Sequence, residues 1–436
     1  MEPDPATGAL TVARDGPCDA ARDQARAGLY VHVPFCAARC SYCDFSTGSL
    51  SAAKLERYLD ALELEIARRA PQAAGLRFSS VFLGGGTPSA IGAAAFGRIA
   101  RALRAAFDVA PGAEFTLEAN PESVRSALLD AWAAAGVNRL SLGAQSFVPE
   151  ELATLARIHG RERPAAALAL ARAHGFRRLS LDLMFGFPGQ TSASWDLTLE
   201  AALALEPEHL SAYCLIPEPG TPLGEAVLAG AAALPAAEAQ AERYEVLSAR
   251  LAAAGYGCYE TSNFCRPGAE VRHNLVYWLR RPYLGLGPSA HGFDGATRYG
   301  NHRALERWAE ALEAGAPPEA EVEPATEASA TEEAVMLGLR LATGLRPADH
   351  ALALRAALER RYGAALAAAA ATGRLEADGA SFRVPRALRF VADEVIAWIS
   401  AAAARTRVDS RRDRSVPSMP CPSPLSPAAS AAPTPI

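Results

Sequence analysis

The sequence predicts an α/β fold built on a parallel sheet with crossover helices. Six short β-type runs alternate with helical stretches between Leu29 and Pro217, the pattern of repeated β-α units. The polar and glycine punctuation is lopsided. Cys36, Cys40 and Cys43, then Gly84–Thr87, Glu118–Asn120, Gln145, Asp182 and Ile216–Pro217, each fall at the carboxyl end of a run. Ligand sites of parallel α/β folds gather at that edge.

Leu29–Val33 is the first strand, and the cysteine loop follows it. Ala52–Arg69 reads as an amphipathic helix with Leu55, Leu59, Leu62 and Ile66 on one stripe. Ser79–Leu83 is a buried-type strand entering Gly84-Gly85-Gly86-Thr87-Pro88. A helix over Ala94–Phe107 precedes the third strand, Glu114–Pro121, and Ser123–Ala135 is helical up to Gly136. Arg139–Leu142 is a short fourth strand ending in Gly143-Ala-Gln145. Helical segments through Arg157 and over Pro164–His174 lead to the fifth strand, Arg177–Pro188. A helix around Leu197–Leu205 and the sixth strand, His209–Pro217, complete the alternation.

Beyond Pro235 the pattern changes. A helix over Ala237–Ala254 leads into a glycine- and aromatic-rich stretch, read as loops and short strands covering an open side of the sheet. A Pro/Glu/Ala linker over Gly315–Ala330 precedes helices at Thr331–Leu341, Ala348–Tyr362 and Ala364–Thr372, a hairpin over Arg374–Val384 and a last helix at Val391–Ala402. The expected organisation is a disordered leader (1–27), a core (28–255), a covering segment (256–315), a small helical domain (316–402) and a disordered tail (403–436).

With 436 residues, 50% of them hydrophobic and 21% charged, the chain can bury ample core in two or three domains. A net charge of −5 gives no overall basic footprint for nucleic acid. The first 27 residues carry Glu2, Asp4, Arg14, Asp15 and Asp23 without an apolar segment, and no stretch has the character of a membrane span. A cytoplasmic location is expected. The eight cysteines are too few and too irregular for a disulfide scaffold.

Cys36-x3-Cys40-x2-Cys43 puts three thiols on one tight loop leaving a strand end. Iron–sulfur cubanes are held by cysteine thiolates, normally four. A trio leaves one iron open to an outside ligand. Zinc and a disulfide pair are the competing readings. Zinc usually takes four Cys/His ligands, and His32 alternates to the face of Tyr30. Disulfides belong to oxidising compartments. The cluster is the favoured reading.

This cysteine motif, with Tyr42 before its last thiol, resembles the radical S-adenosylmethionine (SAM) superfamily. The flanking Tyr30-x-His32-x-Pro34-Phe35 narrows the resemblance to relatives of oxygen-independent coproporphyrinogen III oxidase. The resemblance spans about residues 28–395. It implies a partial (β/α)6 radical-SAM barrel, followed by a winged-helix-like tail domain, and a [4Fe-4S] cluster on Cys36, Cys40 and Cys43 completed by SAM. It also implies SAM contacts for Gly85, Gly86, Thr87, Glu118, Gln145, Arg157 and Asp182, and more weakly for Tyr30 and Ile216. The chemistry agrees, since carboxylates suit SAM's ammonium and ribose hydroxyls and an arginine suits its carboxylate. Arg157, judged on its neighbours alone, reads as a solvated helix arginine. Asp182 inside the apolar run Leu179–Phe187 reads as a ligand-facing carboxylate, because buried charge is costly unless paired.

Phe45 stands where the oxidase has its fourth cysteine, and His273-Asn274-x-x-Tyr277-Trp278 resembles the HemW-type haem chaperones. That resemblance implies haem as cargo, haem-accepting proteins such as respiratory cytochromes as partners, and His273, Tyr277 and Trp278 as haem contacts. It leaves room for an electron donor, peripheral membrane association and a homodimer. Absent the resemblance, His273 would be an ordinary buried histidine. The runner-up function is oxidative decarboxylation of coproporphyrinogen III, or radical-SAM chemistry on another substrate. No Cys-x-x-Cys-His is present, so Cys214, Cys258, Cys265 and Cys421 read as ordinary thiols.

Overall fold

The computed structural model describes residues 26–379 and 381–412. Its centre is a 12-stranded sheet. Six strands carry the expected alternation: β1 (Arg26–Val33), β2 (Arg77–Gly85), β3 (Val109–Ala119), β4 (Arg139–Gln145), β5 (Leu179–Phe185) and β6 (His209–Cys214). They pair in parallel and in chain order, each with the next. The crossovers are α1 (Ala52–Arg69), α2 (Gly92–Ala106), α3 (Ser126–Ala134), α4 (Pro149–Thr154), α5 (Arg163–Ala173) and α6 (Ser192–Ala204). All strand carboxyl ends therefore share one rim.

Local chemistry explains these elements. In β1, Leu29, Val31 and Val33 are fully buried on one face while Tyr30 and His32 occupy the other. A strand covered on both faces needs this near-continuous apolar run. The helix α1 has the bounds the sequence predicts. Ser51 caps it by accepting from the Lys54 amide at 3.3 Å, and Arg68 and Arg69 sit in the last turn. Its buried face carries Tyr58, Leu59, Leu62 and Ile66.

The segment after α7 (Pro222–Leu228) and α8 (Ala237–Ala253) does more than cover an opening. It extends the sheet at both edges. Strands β7 (Gly257–Glu260) and β8 (Asn263–Cys265) add antiparallel beyond β6. Arg272–Trp278, expected as loop, is a short helix, α9. Strand β9 (Tyr283–Leu286) then pairs in parallel with β1, placing Tyr283 beside Gly28. Strands β10 (His291–Phe293), β11 (Thr297–Asn301) and β12 (Glu319–Pro324) follow antiparallel. The expected linker over Gly315–Ala330 is thus corrected: it contains β12 and the start of α11 (Glu327–Gly338). Edge pairing with β11 fixes a polar run that has little strand character of its own.

Between β11 and β12, α10 (Leu305–Glu313) packs on α1. Its Trp308 is fully buried, 5.8 Å from the Tyr58 ring. Truncating such a side chain costs about 3–5 kcal/mol. Beside it the buried Glu65 carboxylate accepts from the Gly287 amide (2.7 Å), the Asn301 amide (2.7 Å) and the Trp308 indole (3.2 Å). This network joins α1 to β9, β11 and α10.

The C-terminal unit has its own core of Val335, Leu339, Leu358, Tyr362, Leu366 and Ile399. The two helices expected at Ala348–Tyr362 and Ala364–Thr372 are one continuous helix, α12 (Leu352–Ala371). The hairpin forms as β13 (Glu376–Ala377) with β14 (Phe382–Arg383). After it the chain enters a 3-10 turn at Arg386–Val391. The last helix, α13 (Ala392–Arg412), runs beyond the residue where the tail was expected to begin. Likewise Arg26 and Ala27, expected in the leader, belong to β1. The rest of the leader and tail, with Cys421, lies outside the described residues. Arg280 and Arg298 bind Glu333 of α11 at 2.7 and 2.6 Å, tying this unit to the sheet. Among the described residues no helix is long and apolar enough to cross a membrane.

Candidate functional site

The cysteine loop leaves β1 at the rim where β2–β6 also end. Cys36, Cys40 and Cys43 are free thiols, each half-buried. A short parallel pairing of Phe35–Cys36 with Gly48–Ser49 closes the loop's base. Ser41 fixes its tip, donating its hydroxyl to the Thr154 carbonyl at 2.8 Å and accepting from the Leu223 amide at 2.8 Å. Tyr42 packs on the apolar group formed by Leu155, Met184, Phe187, Leu215 and Leu223. Burial raises the Cys36 thiol and pushes Cys43 up to about 11. Metal ligation reverses such a shift, because the bound cation deprotonates its thiol ligands. Among the described residues no three His, Cys, Asp or Glu side chains converge as ligands of one ion. A cubane asks for a wider arrangement, since each thiolate binds a separate iron.

The glycine run at the end of β2 is built for close approach. Gly85 has φ +102°, and a Cβ there would fall 2.4 Å from the His32 ring. A Cβ on Gly86 would lie 2.6 Å from the Phe35 carbonyl oxygen. Only glycine lets this backbone lie against the cysteine loop. The Gly86 and Thr87 amides donate to the Val33 and Phe35 carbonyls at 2.8 and 2.7 Å, so the two loops form one platform.

Four side chains continue from it. The Cys36 thiol and Thr87 hydroxyl hydrogen-bond at 3.3 Å, and the Asn120 amide donates to Thr87 Oγ1 at 3.2 Å. Arg157 donates to Asn120 Oδ1 at 2.6 Å, to the Gly143 carbonyl at 2.8 Å and to Cys40 Sγ at 3.2 Å. A closed path therefore runs from Cys36 through Thr87, Asn120 and Arg157 to Cys40. Arg157 is not the solvated arginine its neighbours suggest: a turn after α4 returns it to the rim. Asn120 was visible as strand-end punctuation, but its sequence gives no sign of the two partners it bridges.

The carboxylates line the same end. Glu118 accepts from the Gly85 amide at 3.2 Å, and burial together with the Asp182 charge pushes its carboxyl up to about 8. Asp182 accepts from the Ser141 hydroxyl at 3.0 and 3.1 Å, and burial pushes it up to about 6. Two carboxylates held so far above their ordinary range suit a cationic ligand. Gln145 sits at φ +64°, beside an irregularity in the β4–β5 pairing. Non-glycine residues seldom adopt that conformation. Tyr30 bonds His32 Nδ1 through its hydroxyl at 3.1 Å, and Ile216 is 56% exposed just past β6.

The residues expected to contact haem are placed differently. His273 is buried in α9, with Nδ1 on the Ser80 hydroxyl at 2.9 Å and Nε2 on the Tyr277 hydroxyl at 2.8 Å. Its ring stacks on Phe82, with centroids 5.1 Å apart. Burial holds its imidazole down at about 3. Both ring nitrogens are hydrogen-bonded, and the side chain fastens α9 against Ser80 and Phe82 of β2. Tyr277 packs edge-on against Tyr283 at 4.7 Å, and Trp278 lies under the Arg340 guanidinium at 5.9 Å. Tyr277 thus packs among barrel residues, and Trp278 faces the C-terminal unit through Arg340.

Comparison with known proteins agrees with this architecture. The Radical SAM superfamily model matches residues 30–202, and the HemN C-terminal domain model matches residues 326–391. A Mycobacterium tuberculosis protein named "Heme chaperone HemW" is 42% identical over 73% of this chain and 82% of its own. Its Bacillus subtilis namesake is 36% identical over 72% and 84%. The Bos taurus "Radical S-adenosyl methionine domain-containing protein 1, mitochondrial" is 38% identical over 76% of each chain. Among solved structures, Escherichia coli coproporphyrinogen III oxidase (HemN), described as a radical SAM enzyme, superposes with a TM-score of 0.75 and 26% identity, covering 88% of this chain and 92% of that one. With identities of 42% and 36% over more than four-fifths of those HemW relatives, this chain belongs to the HemW family within the radical SAM superfamily.

Proposed function

We propose that the chain binds haem as cargo and delivers it to haem-accepting proteins such as respiratory cytochromes. The observation that supports this most directly is the likeness to proteins named haem chaperones, at up to 42% identity over most of both chains. The loop adds a second support. Phe45 occupies the place of the oxidase's fourth cysteine, and its ring is 52% exposed.

The scaffold is suited to a [4Fe-4S] cluster on Cys36, Cys40 and Cys43. SAM would be held by Tyr30, Gly85, Gly86, Thr87, Glu118, Gln145, Arg157, Asp182 and Ile216. The donor set fits: three free thiols on one loop, a backbone cradle that any Cβ would fill, and raised carboxylates for a cationic ligand. When bound, the cluster supplies an electron to SAM's sulfonium. The chain's own residues orient that pair. Arg157 reaches Cys40 while spanning β3 and β4, and the Tyr42 cluster shields the loop's far side.

The similarity to HemN over 88% of the chain favours one alternative, porphyrinogen decarboxylation. Anaerobic incubation of cluster-reconstituted protein with SAM, a reductant and coproporphyrinogen III separates the two. Unchanged porphyrin mass with stoichiometric haem binding is expected. Loss of two carboxyl groups per porphyrin would establish an oxidase that tolerates Phe45.

A further inference from the structure

Taking haem as the cargo, as proposed above, we propose that it docks at the rim beside the cysteine loop, with His291 Nε2 as the protein ligand to its iron and Glu321 as the carboxylate that orients the imidazole. Imidazole is a standard haem-iron ligand, and all eight histidines lie within the described residues. His32, His209 and His273 are buried with both ring nitrogens hydrogen-bonded. His159 is buried between Arg157 and the Gly160 carbonyl, and His174, at the end of α5 just ahead of β5, binds Asp130 at 2.7 Å. Recruiting any of these would dismantle an existing network. His350 is half-buried in the C-terminal unit, just ahead of α12. His302 is half-buried beside Asn301, whereas the His291 side chain is 48% exposed.

The fold brings His291 to the cysteine rim. Strand β9 runs parallel to β1, and the turn after it abuts β1: a Cβ on Gly287 would lie 2.5 Å from the His32 carbonyl oxygen. His291 opens β10 directly after that turn. Arg303, just past β11, hydrogen-bonds the Asp44 carbonyl, and its own carbonyl accepts from the Ser46 hydroxyl at 2.5 Å.

The surroundings of the imidazole have the features of a ligand site. Cross-strand register places His291 opposite Gly300 and Gly300 opposite Glu321. The glycine leaves space for the ring, since a Cβ at 300 would come within 2.9 Å of it. Nδ1 faces Glu321 Oε1 at 3.9 Å, short of a hydrogen bond but within reach of a side-chain rotation. Metal-bound histidines commonly give their second N–H to a carboxylate, which fixes the tautomer and strengthens the ligand. That assignment leaves Nε2 for iron. Phe45, exposed on the adjoining loop, offers an apolar face to the porphyrin, and the 65% exposed Arg303 side chain a cation to a propionate.

The test is anaerobic haem titration of the cluster-reconstituted full chain, following the Soret band, for wild type and for His291→Ala, Glu321→Gln and His302→Ala. Loss of the imidazole-type spectrum in His291→Ala, with its return on adding free imidazole, is expected. Affinity should fall at least about tenfold there and about tenfold in Glu321→Gln, the usual range for orienting partners. Unaltered cluster absorption will show that the variants fold. A wild-type spectrum and titration in His291→Ala overturns the assignment, as does a spectrum lost only in His302→Ala. A wild type that binds no haem removes the cargo reading and this site with it.

Discussion

Asn120→Ala should weaken SAM binding without removing the cluster. The amide is the middle link between Thr87 and Arg157, and the substitution deletes both of its bonds. The contact with the Arg157 guanidinium, at 2.6 Å, is charge-assisted; such bonds contribute about 1.5–3 kcal/mol and neutral ones about 0.5–1.5 kcal/mol. Asn120 is half-buried, so water replaces part of what is lost. Arg157 also keeps the Gly143 carbonyl at 2.8 Å. A net loss of about 1.5–2 kcal/mol in holding Arg157 on the rim corresponds to a roughly 10- to 30-fold weaker SAM affinity. Calorimetric titration of cluster-reconstituted protein with SAM measures this, and visible absorption reports cluster content in the same sample. Asn120→Asp keeps an acceptor for Arg157 but loses the donor to Thr87, so it should fall between. SAM affinity within about twofold of wild type for Asn120→Ala, at equal cluster content, would refute the linkage.

Serine at Cys36, Cys40 or Cys43 should abolish the cluster's visible absorption, and full retention in any one variant would remove that residue from the ligand set. His273→Ala should lower stability by about 2 kcal/mol, through the stranded Ser80 and Tyr277 hydroxyls, while leaving the haem titration unchanged; a several-fold loss of haem affinity in a folded variant would return His273 to the haem site. Gly86→Ala should destabilise by roughly 1–3 kcal/mol, because its Cβ meets backbone on two sides, and wild-type thermal stability would contradict the close approach. Glu118 and Asp182 titrate higher in the folded chain, at about 8 and about 6, than their ordinary values of 4.5 and 3.8. Between those limits the folded state holds more protons than the unfolded one, so SAM-free stability falls as pH rises from about 4 to 8. Denaturant midpoints across that range test the sign, and Glu118→Gln with Asp182→Asn should flatten the slope.

The parallel core and its rim were legible because both rest on local signals. Alternating β-type runs and amphipathic stretches mark the strands and crossovers, and polar residues closing each strand mark the binding edge. The same logic fails where an element is created by its neighbours. Strand β12 is a polar Glu/Ala/Val run that becomes a strand by pairing with β11. The seven residues of α9 are too few for helical periodicity to show, and the buried Glu114 carboxylate holds the helix start by accepting from the amides of Arg272 and His273 at 3.1 and 3.0 Å. Gly363 made α12 read as two helices, yet tertiary packing carries one glycine through a helix at about 1 kcal/mol. Arg157 misled for a related reason: its neighbours describe a solvated helix arginine, and its partners, Cys40, Asn120 and Gly143, come from three other segments.

The pairing of β9 with β1 also bears on how the molecule is made. The strand that carries the cysteine loop is interior to the finished sheet, yet the neighbour on its outer side is encoded far along the chain, with Gly28 meeting Tyr283. During synthesis β1 has an unsatisfied edge, facing the solvent, until that late strand leaves the ribosome. Contacts of such sequence separation close slowly. The strand that carries the cysteine loop therefore gains its second neighbour only after the barrel strands have been translated, and until β9 docks its open edge is the one most exposed to edge-to-edge association.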